Sequence, residues 1–409
     1  MKKIMNWLET GFAPKMNKFA NNLWISSIKD TVNQIMPLIF LGSFFCVLTL
    51  PSAIKGLEWF SNFWTPFGWT MSVVSIMMAF LLPMNFMDKF RLRKNRNCAG
   101  IAGLILYGMT ITPQLVADGA IGFSHDAFGT SGMFISMITG CIVGLVFKVI
   151  GKMSFFKEDS ALPDFVRQWF DQMLPIGIIV LGGWLIIDIL HFDLYIAIQT
   201  IFKPLGDVYS TIWGFTLGNL LVMLLYSMGI SGWILAPIQT PILLANIESN
   251  ITQGTNFFAT SSWDYAYLKI GGLACTLSLV LFMVFLAKSN KLKALGRATI
   301  VPSIFNINEP IVFGAIVFNP LLMVPMWINA IVAPVLAWLL TVVIPFGKIP
   351  DILYQLWYIP YPITTWLATG GSFSSVVVML IVFVVTGLIW YPFFRIYDKQ
   401  CLKEEGENE

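Results

Sequence analysis

Residues 305–314 read FNINEPIVFG, and Glu309 is the only Asp, Glu, Lys, Arg or His among the 50 residues between Arg297 and Lys348. A carboxylate at the centre of a bilayer costs about 2.5 kcal/mol or more unless it faces a cavity or finds partners. Its own stretch supplies no cation for a local ion pair. The Asn308 amide, the Glu309 carboxylate and the helix-breaking Pro310 fall together at one point. Three readings are open: a carboxylate capping a broken helix, an acceptor for a polar ligand, or a group that titrates a coupling proton.

The surroundings of that stretch set the class of protein. The 409 residues are 57% hydrophobic and only 11% charged, with a mean hydropathy of +0.75. A soluble domain carries about 25% charged residues, so this composition implies an all-α, multi-pass membrane protein in contact with the lipid bilayer. A net charge of +3 suggests no nucleic-acid partner. Cys46, Cys98, Cys141, Cys275 and Cys401 stand singly, with no metal-ligand spacing, so neither a metal nor another cofactor is expected. Residues 1–31 read as a polar, amphipathic cytoplasmic or interfacial segment without the features of a cleaved signal peptide.

A membrane-crossing helix needs ~20 apolar residues. Runs of that kind occur at about 32–50, 69–87, 98–116, 131–147, 173–187, 270–287, 321–345 and 373–392. The stretch 211–247 is too long for one crossing and is interrupted by Gly229, Gly232, Pro237 and Pro241, which gives two segments and about ten transmembrane helices in all. Loop 88–97 (DKFRLRKNRN) and the basic residues after the fourth and eighth spans alternate with loops poor in Lys and Arg. By the positive-inside rule both termini are then cytoplasmic. Only two crossings fit after Arg297, so 299–318 and 350–371, both rich in Pro and Gly, are expected to enter the membrane without crossing it. Irregular backbone at that depth belongs where it lines a cavity, as at transporter substrate sites. The segment ALPDFVRQWFDQMLP (161–175) is expected to be a short interfacial linker helix.

A carboxylate and an amide on broken backbone suit sugar hydroxyls, which both donate and accept. Trp233 and Trp366 lie in or beside broken segments and offer flat faces for a sugar ring, or ordinary packing between helices. Asn246, Thr364 and Thr365 are further hydroxyl partners, or interhelical hydrogen bonds. His125 and His191 fall near the outer face and read as solvated or interfacial, as does Asp188.

The motif FNINEPIVFGAIVFNP (305–320), with KSNKLKALGR before it and YPITTWLATGG after it, resembles the membrane subunit (IIC) of bacterial phosphotransferase-system sugar permeases, lactose/cellobiose branch, which includes oligo-β-glucoside and diacetylchitobiose carriers. The resemblance runs from PLIFLGS in the first span to the last. It implies a homodimer of about ten spans plus two re-entrant hairpins in the bacterial cytoplasmic membrane, moving substrate by an elevator-type mechanism. A scaffold and dimerisation domain would cover 32–210, a transport domain 211–395 and a cytoplasmic tail 396–409. A separate IIB protein, served by IIA, would phosphorylate the bound β-linked disaccharide or β-glucoside, with Glu309 and Asn308 on the sugar. The chain departs from the family in two places: Ser231 stands where the family motif has a histidine that reaches the substrate, and FGAIVFNP lacks a Pro and is one residue shorter. The serine cannot take a proton near neutral pH, and the alternative it opens is a diverged relative acting as a non-phosphorylating or proton-coupled carrier or as a sugar sensor.

Overall fold

The apolar runs become helices because a chain inside lipid must satisfy its own backbone. The computed structural model describes Lys18 and residues 21–112, 114–115, 121–123, 125–156, 163–230 and 235–406. Most of the expected N-terminal segment lies outside these residues, as do Ser231 and Trp233. We label the α-helices of six residues or more in chain order. In the first half these are α1 (Leu23–Leu48), α2 (Trp64–Met71), α3 (Val74–Lys89), α4 (Arg96–Thr110), α5 (Met133–Ile150), α6 (Asp164–Trp184) and α7 (Leu194–Tyr209). The second half holds α8 (Ile212–Tyr226), α9 (Ala236–Gln253), α10 (Ser261–Tyr267), α11 (Leu277–Phe285), α12 (Asn290–Ile304), α13 (Pro320–Trp338), α14 (Ile363–Ala368) and α15 (Phe373–Gly406). The strands among the described residues are the antiparallel pair Gln114–Leu115 and Ile121–Gly122.

Six of the described helical segments are long and apolar enough to cross a membrane, or seven if α7 and α8, bent by 86°, form one span. That is fewer than the runs in the sequence suggest, because some runs fold into shorter pieces. The run 98–116 yields only the 15 residues of α4, and 270–287 yields the nine of α11 after an irregular loop. Two boundaries also move. Helix α1 starts at Leu23, ahead of its apolar run, where the Asn22 side chain accepts from Trp24 N at 2.9 Å and caps it. The expected linker helix at 161–175 is instead the first part of α6, which continues through Pro175. Phe165, Trp169 and Met173 are exposed along it.

Buried apolar side chains of α1, α3, α4 and α5 form one core, among them Ile35, Met78, Leu82, Phe86 and Phe147. Close helix approach there depends on small residues: a Cβ at Gly103 of α4 would lie 2.1 Å from the Ala79 carbonyl oxygen of α3. A second core joins α8, α11, α13 and α15 around Met223, Leu279, Met326, Trp390 and Phe394. A third surrounds α10, with Phe215, Trp263, Tyr267, Tyr354 and Val382. Among the described residues the backbone between these last two groups is broken four times: at 227–230 after α8, at 268–276 after α10, at 305–308 after α12, and over 344–362 before α14.

Candidate functional site

The four breaks converge on a cavity of about 420 Å³, within the usual range of roughly 300–1,000 Å³ for small-molecule sites. Its wall includes Tyr226 at the end of α8 and Gly229 from the first break, Asp264, Tyr265, Lys269 and Gly272 from α10 and the second, Asn306 and Asn308 from the third with Glu309 just after it, and Trp357 from the fourth.

Asn306 ties three of the breaks together. Its Oδ1 accepts from Gly271 N at 2.9 Å, and its Nδ2 donates to the carbonyls of Trp357 at 2.7 Å and Ile359 at 2.8 Å. Breaking a helix strands backbone groups, and an asparagine with one acceptor and two donors can satisfy groups of both kinds. Its φ of +62° is one that Asn adopts more readily than most residues.

Asn308 is only 3% exposed, and its amide is similarly committed. Its Nδ2 donates to Leu273 O at 2.9 Å and Thr276 Oγ1 at 3.2 Å, while Oδ1 lies 3.4 Å from the donating Tyr226 hydroxyl. The loop that receives it needs a glycine at 272, where φ is +98° and a Cβ would come 2.4 Å from Asn308 Cγ. Thr276 Oγ1 closes the same loop by donating to Gly271 O at 2.7 Å.

Glu309 follows directly and differs from both asparagines. It is exposed and begins a short helix, Glu309–Ile311. It forms neither a hydrogen bond nor an ion pair to the described residues, although it lines the cavity. A carboxylate with free lone pairs at the mouth of a walled cavity is an acceptor presented to a ligand. At the recessed side, Lys269 Nζ and Asp264 Oδ2 form an ion pair at 3.1 Å, with side chains 17% and 14% exposed.

The other described residues singled out in the sequence as sugar contacts lie elsewhere. Asn246 Nδ2 donates to Ser210 Oγ at 2.9 Å and to Ala259 O at 2.8 Å. Thr365 Oγ1 donates to Ala266 O at 2.7 Å, and Thr364 Oγ1 donates to Ile359 O. Both threonines are fully buried and hold α14 against its neighbours. Trp366 is 46% exposed and is not part of the cavity wall. The cavity thus brings together Glu309 and Asn308 from that set, and adds Asp264, Lys269, Asn306 and Trp357, which the sequence did not flag. One sequence signal was available: WDYAYLKIGG (263–272) carries opposite charges five residues apart inside an otherwise apolar stretch.

Residues 29–351 match the family described as "Phosphotransferase system, EIIC". The chain belongs to that family: it is a multi-pass membrane permease of the IIC class from a bacterial phosphotransferase system. It is 29% identical to the cellobiose-specific EIIC component of Geobacillus stearothermophilus over 99% of this chain and 96% of that one. It is 27% identical to the lactose-specific EIICB component of Staphylococcus epidermidis, over 100% of this chain and 73% of that protein. In fold it is similar to the crystal structure of the transporter ChbC, the IIC component from the N,N'-diacetylchitobiose-specific phosphotransferase system. The TM-score is 0.87 and the identity 24%, with 98% of this chain and 99% of that one covered.

Proposed function

We propose that this permease binds a β-linked disaccharide or β-glucoside in the 420 Å³ cavity and carries it across the membrane for phosphorylation by a separate IIB protein. The observation that carries the reading is Glu309, an exposed carboxylate with neither a hydrogen bond nor an ion pair among the described residues, on the wall of a cavity built from broken segments. Its lone pairs accept from a sugar hydroxyl that is to receive phosphate. Asn308 acts beside it by fixing the backbone from which Glu309 projects. The substrate class is supported by the names of the relatives, cellobiose- and lactose-specific. A IIB partner is supported by the name of the lactose-specific relative, an EIICB component.

In this reading the segments 299–318 and 350–371 dip into the membrane without crossing it. The shorter helices add to the six or seven long ones to make about ten crossings, with both termini cytoplasmic. The first half, 32–210, serves as a dimerising scaffold, and 211–395 moves against it as an elevator-type transport domain. The permease contributes positioning: it presents the hydroxyl to the phosphoryl donor in a fixed orientation.

Uptake of a labelled disaccharide panel in cells with and without the IIB partner tests this. Sugar phosphate that accumulates only with the partner is the expected result. Accumulation of unmodified sugar in its absence would refute the proposal.

A further inference from the structure

The two halves of the chain meet along a seam. Helix α1 and the turn at 127–132 stand on one side, and α9 with the irregular segment near 352 stands on the other. Leu244 and Ile247 of α9, together with Ile352 and Leu353, share a core with Ile35 and Ile39 of α1. Apolar packing of this kind is non-directional and tolerates sliding. A hydrogen bond across the same seam is directional: Thr130 Oγ1 donates to Glu248 Oε2 of α9.

Each end of that bond is fastened to its own half. Ser75 Oγ of α3 donates to Gly129 O, and the Tyr107 hydroxyl of α4 donates to Ala127 O, so the turn belongs to the first half. Asn250 Nδ2, two residues after Glu248, donates to Pro350 O at 3.1 Å and ties α9 to the second half. The turn is also shaped to receive the carboxylate. Thr130 is only 1% exposed, and a Cβ at Gly129 would lie 2.7 Å from Glu248 Oε1. Gly129 has a φ of −76° and a ψ of −159°, an extended conformation open to other residues. Glycine is therefore needed there for space, not for backbone freedom.

We infer that the Glu248–Thr130 contact is a latch that holds the two halves in the described arrangement and is released each time 211–395 moves against 32–210. This rests on the reading above that the two halves move during transport. A hydrogen bond from a hydroxyl to a carboxylate is among the stronger ones. It fixes the register of an interface that apolar contacts alone leave free to slide. A contact present in one arrangement and lost on the way to the other slows the passage between them, and such conformational steps set many turnover rates. The competing role is a static brace that stays closed throughout the cycle.

The test compares initial uptake of labelled sugar per copy of permease with the sugar affinity and thermal midpoint of the purified full-length protein. Uptake is measured in cells that supply the IIB partner in excess, using the tightest-binding of cellobiose, lactose and diacetylchitobiose. Thr130→Val removes the hydroxyl with little change of shape. Gly129→Ala wedges the carboxylate away without removing a polar group. Each is expected to speed uptake about threefold or more, the effect of losing a hydrogen bond from the starting arrangement alone. Affinity stays within about twofold of wild type, because neither residue lines the cavity. Thr130→Ser keeps the donor and is expected to show wild-type uptake. A static brace would lower the midpoint of Thr130→Val without faster uptake. Uptake that is unchanged or slower in both loosened variants would overturn the inference and leave the proposed function in place. If one variant fails to fold, the other decides. Failure of the wild-type protein to take up any of the sugars would instead overturn the proposed function, and the latch with it.

Discussion

In the first half of the chain, hydroxyl side chains commonly bond back to their own helix. Ser27 Oγ donates to Leu23 O, Thr31 Oγ1 to Ser27 O and Thr110 Oγ1 to Leu106 O, each at 2.8 Å, and Thr139 Oγ1 donates to Ile135 O at 3.1 Å. Some bonds of this kind persist in the second half, such as Thr386 Oγ1 to Val382 O at 2.8 Å. The first half has long-range bonds to loop carbonyls too, such as Asn95 Nδ2 to Gly151 O at 2.8 Å, but in the second half side chains that reach across interruptions in the backbone gather around the cavity. Asn306 joins three breaks, Asn250 Nδ2 donates to both Phe257 O and Pro350 O, Thr365 reaches Ala266 O and Ser262 reaches Ile352 O. A continuous helix satisfies its own N–H and C=O groups, so its polar side chains are nearly optional. A broken one exposes those groups, and only side chains of the right type at the right place can satisfy them. The second half thereby gains a cavity that unbroken helices would have filled.

This contrast can be broken by substitution. The largest effect is expected from Asn306→Leu, which strands Gly271 N and the carbonyls of Trp357 and Ile359. Each stranded buried group costs about 1–3 kcal/mol, so stability should fall by about 3 kcal/mol or more, read as a lower thermal midpoint in detergent and loss of sugar binding. The matching change in the first half, Thr139→Val, removes a bond whose acceptor carbonyl lies within α5, and should cost less than about 0.5 kcal/mol. A large loss from Thr139→Val, or none from Asn306→Leu, would erase the distinction.

Gly272→Ala sharpens the comparison at one atom. The added Cβ meets Asn308 Cγ at 2.4 Å at a φ of +98°, which should cost about 2 kcal/mol through overpacking and strain. Weakened binding is expected, because Asn308 is pushed off Leu273 O and Thr276. The same substitution at Gly177 of α6, where nothing lies within 4 Å of an added Cβ, should leave binding unchanged.

The smallest effect is expected at the far end of α15. Glu405 accepts from Ser289 Oγ at 2.6 Å, Lys291 N at 2.8 Å and Asn290 N at 3.1 Å, and so closes the N-terminus of the helix leading to Asn306. The Ser289 hydroxyl, followed by the Lys291 N–H, holds the Glu405 carboxyl below its ordinary value of 4.5. A depressed carboxylate stabilises the fold above its unfolded value and loses that contribution as pH falls through the lower folded value. Amide exchange at Asn290 and Lys291 should therefore speed up on acidification below about pH 4.5 relative to the intrinsic rate, and Glu405→Gln should abolish that pH dependence. An unchanged profile would detach the tail from α12.

Much of the architecture was legible because composition and periodicity report the solvent. The break after α8 follows from Gly229 and Pro237, and the break before Glu309 from Pro310. The isolated carboxylate at Glu309 was visible for the same reason: charge is conspicuous in an apolar field. Helix ends were less legible. The 98–116 run folds as a 15-residue helix, and Pro175 is absorbed into α6, because proline inside a membrane helix ends it only when neighbours leave the freed carbonyl unsatisfied. The structural asparagines were harder still. Asn246 and Asn306 look alike in sequence, and only the fold shows that one bonds Ser210 and Ala259 while the other joins three segments of the site. Asp264 and Lys269 were overlooked because they lie at the edge of an apolar run and meet each other only once α10 and the loop after it have formed.

The most direct measurement is titration of purified wild-type and Glu309→Gln proteins with the disaccharide panel, alongside their thermal midpoints. Glu309 has no partner among the described residues, so the substitution should leave the midpoint unchanged and reduce affinity at least about tenfold, the loss expected when a charged acceptor becomes neutral. Wild-type affinity in a folded Glu309→Gln protein would contradict the assignment of this carboxylate to the sugar.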